Sequence, residues 1–93
     1  MSEHKPWEIY DVQMQQTINN EINQDGIYNR RVQAVLNEEY AKALELNQEI
    51  QKRISKIYSE SEGDRKEQAG LRLELLAIIA RDIQLKISKP NYN

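Results

Sequence analysis

Apolar residues recur at helical spacing along nearly the whole chain, and two glycines divide them into three runs. Gly26 follows Asp25, and Gly63 stands within Ser61-Glu62-Gly63-Asp64; both segments carry the polar, small-residue chemistry of turns. In the first run Trp7, Tyr10, Met14, Ile18 and Ile22 follow an i, i+3, i+4 rule and predict a helix over about 6–24. Pro6 suits its first turn, where the missing N–H has no partner to lose, and Gly26 can adopt the left-handed conformation that ends it. Ile9 and Val12 project from a second side. The polar face is rich in amides: Gln13, Gln15, Gln16, Asn19, Asn20, Asn23 and Gln24.

The second run predicts one long helix over about 28–59, with Val32, Val35, Leu36, Tyr40, Ala43, Leu46, Ile50, Ile54 and Ile57 in a single arc. Neither Gly nor Pro interrupts it, and Glu38→Lys42 and Glu49→Arg53 are i, i+4 pairs in the favourable order. Two polar residues break into the apolar side. Asn47 occupies an a position of a heptad that has Leu36, Ala43, Ile50 and Ile57 at d. There it either fixes register from a buried site or faces solvent at the bundle margin. Glu39 is expected where a covering helix has ended, with its carboxylate bent outward.

The third run predicts a helix over about 64–88, ending before Pro90 and opening on a capping-box pattern, Asp64-Arg65-Lys66-Glu67. Gly70 can permit close approach of a neighbour. The apolar residues here do not form one stripe. Leu71, Leu75, Ile78 and Leu85 take one side, Leu73, Leu76, Ile83 and Ile87 another, and Ile79 lies between. Residues 82–87 also alternate like a strand, which leaves a short β-tail as a lesser alternative.

These runs define an all-α chain of three helices. A long antiparallel hairpin (28–59 with 64–88) carries the N-terminal helix packed along the first half of its long arm, in one domain with short flexible ends (1–5 and 89–93). A helix that is apolar on several sides needs covering on several sides, so self-association is expected. A C2 dimer through Leu75, Ile78, Ile79 and Leu85 is its simplest form, and a monomeric bundle with this helix at the centre is the alternative.

Composition narrows the chemistry. The 93 residues suffice for one domain, whose aliphatic core has no Phe and one Trp and is small enough to gain from packing between copies. No Cys is present, so disulfides, thiol nucleophiles and thiolate metal sites are excluded. His4 is the only histidine, which leaves no His-based triad and no two-His metal site. No Gly-rich phosphate loop exists, and no Glu-x-x-His pair of the di-iron kind. A non-enzymatic chain without metal or cofactor is therefore expected. The first residues lack an apolar leader, and no apolar run approaches membrane-spanning length, so a soluble, cytoplasmic protein is expected.

Charge is uneven rather than basic: residues 1–26 hold Glu3, Glu8, Asp11, Glu21 and Asp25 against Lys5, while the rest is nearly balanced. Binding to another protein is the leading expectation, by an inhibitor, adaptor or assembly factor whose amide face (Gln16, Asn20, Asn23) and aromatic anchors (Trp7, Tyr10) touch the partner. A nucleic-acid alternative would use Arg30 and Arg31 with the Lys52, Arg53 and Lys56 cluster, though Glu21, Glu38 and Glu39 lie close by. A purely structural oligomer subunit is a third expectation.

Overall fold

The computed structural model describes residues 11–88, and every regular element among them is helical. Four helices follow in order: α1 (Val12–Ile22), α2 (Ile27–Leu36), α3 (Tyr40–Glu60) and α4 (Asp64–Ser88). The last matches the helix expected over 64–88, so its end is helical and not a β-tail. The flexible ends expected at 1–5 and 89–93 fall outside the described residues.

The single helix expected over 28–59 is instead two. Asn37 caps α2, Glu38 takes a positive φ of 61°, and the chain turns back. Two backbone bonds close the turn: Glu38 N–H to the Val35 carbonyl at 3.0 Å, and Glu39 N–H to the Ala34 carbonyl at 2.8 Å. This is a Schellman ending with glutamate where glycine is usual. Its cause is the stripe itself. Position 39 lies four residues after Val35 and three after Leu36, so a continued helix would drive the Glu39 carboxylate towards the core. Burying an unpaired carboxylate costs several kcal/mol, whereas a left-handed glutamate costs about 1–2 kcal/mol. The cheaper solution is adopted, and Glu39 is exposed.

Two helix starts also differ from expectation. Asp11 is extended (φ −92°, ψ 101°), and its carboxylate accepts from Met14 N–H at 3.0 Å, so α1 begins at Val12 rather than running unbroken from Pro6. Residues 6–10 lie outside the described residues. At α4, Gly63 (φ 67°) occupies the cap position, and its carbonyl accepts from Glu67 N–H at 3.1 Å. Asp64 is thus the first helical residue, not the cap of a capping box. Asp64 and Glu67 both stand in the first turn, where the helix dipole favours them.

α3 forms the spine, with α4 returning antiparallel along it and α2 folded back on its first half. One core joins Ile18 and Ile22 of α1, Ile27 of α2, Ile50 and Ile54 of α3, and Ala69 and Leu76 of α4. A second, at the far end, joins Ala34, Ala43 and Ile83. Each fully buried Ile or Leu contributes about 1.5–3 kcal/mol of transfer free energy. Ile50 and Ile54 are buried as the stripe requires, but Val32 and Leu36 of the same arc face solvent, because the reversal rotates α2 away from that arc. It also moves α1. The first half of the expected long helix is folded onto α3, so α1 packs instead across the second half of α3 and the first half of α4.

Replacing Glu38 with glycine removes the left-handed penalty but adds chain entropy, so stability should rise by about 0.5–1 kcal/mol. Chemical denaturation monitored by circular dichroism reads this as a higher midpoint at unchanged helicity. A lower midpoint would mean that residue 38 is not left-handed.

Candidate functional site: a polar core and two outward faces

Among the described residues three polar side chains are buried with the aliphatic ones: Gln15, Asn47 and Gln68. Asn47 is fully enclosed at the level where α2, α3 and α4 meet. Its Nδ2 donates to the Leu76 carbonyl of α4 at 3.1 Å and to Gln51 Oε1 at 3.2 Å. Its Oδ1 accepts from Arg31 Nη1 of α2 at 2.6 Å. One amide therefore touches three helices, with both N–H donors and its carbonyl oxygen engaged. Arg31 also sits over the Tyr28 ring, 5.4 Å from the centroid. Burial pushes the Arg31 guanidinium below its ordinary pKa, with Arg72 adding to the effect and Tyr28 opposing it.

A second polar layer fastens α1. Gln15 Nε2 donates to the Gln68 carbonyl and to Gln68 Oε1, and the same Oε1 accepts from Asp11 N–H at 2.9 Å. Arg72 Nε donates to Gln15 Oε1 at 3.1 Å. No buried side-chain nitrogen or oxygen among the described residues lacks a partner. Spacing could have revealed Gln15, which lies three and seven residues before Ile18 and Ile22 and so shares their face. Asn47 was visible as an a position, whereas Gln68 and Arg72 carry no such signal.

At the rim, Arg53 ties three elements together. It donates to Asp25 at 3.0 Å, to Glu49 at 3.1 Å and to the Ile22 carbonyl at 2.8 Å. The hydrogen bond from Arg53, helped by its charge and that of Arg30, holds the Asp25 carboxyl down at about 2, against the smaller opposing effect of burial. The same bond raises the Arg53 guanidinium above its ordinary value. Arg65 of α4 similarly grips Glu21 of α1 at 2.8 Å.

The residues expected to bind partners divide three ways. Trp7 and Tyr10 lie outside the described residues. Gln16 and Asn20 are exposed on α1 and available. Asn23 is half-buried and already engaged, its Oδ1 accepting from Tyr28 N–H at 2.9 Å as α2 begins. Asn19 likewise accepts from the Tyr28 hydroxyl at 2.8 Å. The amide-rich face thus serves partly as internal structure.

The self-association residues separate more sharply. Ile78 and Leu85 are 59% and 57% exposed and Leu75 39%, all on the outer side of α4. Ile79 turns inward and packs against both cores. Of the cations considered for nucleic acid, Arg31 is committed to Asn47, Arg30 pairs with Asp25, and Arg53 pairs with Asp25 and Glu49. Lys52 and Lys56 are exposed. The five do not form one open basic surface.

Among the described residues no group of three or more His, Cys, Asp or Glu side chains is placed to hold a metal ion, and no helix is long and apolar enough to cross a membrane. No protein-family model, curated protein or solved structure matches the chain.

Two measurements test the polar core and its rim. Asn47→Ala should cost about 2–3 kcal/mol by leaving a half-buried guanidinium without its acceptor. Because Arg31→Ala removes the same bond, the double variant should lose less than the sum of the singles, and additive losses in denaturation would contradict the coupling. Asp25 has a folded pKa below its unfolded value near 3.8. Its contribution to stability is therefore complete above that unfolded value and is lost as pH falls through about 2. Asp25→Asn should flatten the fall in melting temperature between about pH 4 and pH 2 relative to the parent protein.

Proposed function

We propose that this chain is a non-enzymatic protein-binding module of the inhibitor, adaptor or assembly-factor kind, acting in the cytoplasm through helix-mediated contacts. The observation that supports this best is the outer face of α4. Leu76 and Ile83 anchor the helix inward while Ile78 and Leu85 stand open on the opposite side, flanked by the less exposed Leu75. A helix secured on one face and apolar on another suits recognition of a second helix or hydrophobic groove. Self-association through α4, most simply as a C2 dimer, is part of the reading. Gln16 and Asn20 give α1 an uncharged polar face, cheaper to desolvate than a charged one.

Nucleic-acid binding is the lesser alternative, since Arg30, Arg31 and Arg53 are engaged within the fold and no continuous cationic track remains among the described residues. A purely structural subunit would use the same α4 face without a foreign partner.

The test compares the full chain with Ile78→Asp and with Gln16→Ala/Asn20→Ala as bait in native lysate. A specific partner should be held by the parent chain and lost by about 10-fold or more in one variant, with circular dichroism unchanged. Equal capture by all three, with the fold intact, would remove both surfaces from the proposal. Steeply salt-dependent retention of RNA or DNA would favour the alternative.

A further inference from the structure

The outer face of α4 carries a heptad of its own. Leu71, Ile78 and Leu85 recur every seven residues, Leu75 and Asp82 fall four after the first two, and Glu74 and Arg81 flank the stripe on one side. Leu75, Ile78 and Leu85 are exposed, and neither Glu74 nor Arg81 joins the ion pairs or hydrogen bonds of the described residues. With Leu71, Ile78 and Leu85 as d and Leu75 and Asp82 as a, Glu74 and Arg81 are both g positions.

We infer that the occupant of this face is α4 of a second copy, packed antiparallel about a two-fold axis level with Leu76 and Ala77. This rests on the self-association proposed above and adds its geometry. In an antiparallel pair, a positions pack against d positions and g faces g. The register that sets Leu75 against Ile78 of the second copy also sets Glu74 beside the second copy's Arg81. The two-fold repeats both contacts, giving two apolar layers and two opposite-charge pairs from one helix. A parallel pair gains no such match, because g then faces e and Arg81 meets Lys86. Charge complementarity therefore selects both the occupant and its direction.

Two pairings are discordant. Asp82 falls at an a position opposite the second copy's Leu71, and Leu85 falls opposite the second copy's buried Gln68, so both weaken the association and keep the dimer concentration-dependent.

Sedimentation equilibrium of the full chain, with variants, tests the inference. The parent chain should show a monomer–dimer equilibrium. Ile78→Asp should raise the dissociation constant at least ~30-fold, and Asp82→Leu should lower it ~10-fold. Glu74→Arg should weaken the dimer ~5-fold by placing like charges together, and Glu74→Arg/Arg81→Glu should restore it. The chain has no native Cys, so direction can be read by cross-linking. Residue 85 of the two copies lies about 25 Å apart along an antiparallel pair, so Leu85→Cys should not form an intermolecular disulfide, whereas Glu74→Cys/Arg81→Cys should. A dimer abolished by Ile78→Asp but cross-linked by Leu85→Cys, or indifferent to the charge swap, would overturn the antiparallel register and leave self-association standing. A monomer at every concentration would overturn both and assign the face to another occupant, such as residues 1–10 or a foreign helix.

Discussion

Stripe continuity is a constraint that a helical chain must satisfy at each turn, and here it breaks at Glu39. The chain answers by spending one left-handed residue, Glu38, to turn α2 back on α3. Most of the architecture follows. Once α2 occupies the first half of α3, α1 is displaced to the other end, where it crosses α3 and α4. The alanines Ala34 and Ala43 stand where α2 and α3 meet nearest the turn, small enough for close approach, and Ile83 of α4 closes that end.

A core built this way has little depth, since the described residues measure 52 × 33 × 19 Å and α2 and α1 cover different halves of the spine. Its interior combines isoleucine packing with directional polar contacts. The buried isoleucines, with Leu76, supply the transfer free energy but would tolerate sliding by a helical turn. Asn47 does not tolerate it, because one amide has to meet Arg31, Gln51 and the Leu76 carbonyl together. The Gln15–Gln68 pair does the same for α1. Net stabilisation from such bonds is modest, so their larger effect is to penalise every alternative alignment.

Much of this was legible from residue spacing. The bounds of α4, the burial of Ile18, Ile22, Ile50 and Ile54, and the double-sided apolar character of α4 all follow from periodicity. The break in the long helix did not, because Asn37-Glu38-Glu39 contains no Gly or Pro and the favourable i, i+4 pair Glu38→Lys42 spans it. The relevant sign was the carboxylate at position 39, noticed as a blemish on a stripe rather than as its end. The inward face of Gln15 is legible from its spacing to Ile18 and Ile22, but its pairing with Gln68, 53 residues later, cannot be read from local pattern. Of the candidate site, Ile78 and Leu85 were legible as a second apolar side, while the engagement of Asn23, Arg31 and Ile79 depended on where the reversal sent α1 and α2.

The fastening of α1 has a dynamic consequence. At 11 residues it is below the length at which an isolated helix holds together in water, where about 12–15 are needed even for favourable sequences. Its hold on the bundle comes from Ile18 and Ile22, the Gln15–Gln68 layer, and the contacts of Arg65 with Glu21 and of Arg53 with the Ile22 carbonyl, polar bonds that water can replace group by group. Undocking and unwinding of α1 are therefore one cooperative event, a sub-global opening below the global unfolding free energy. A partner that grips α1 would in that way read the state of the bundle beneath it.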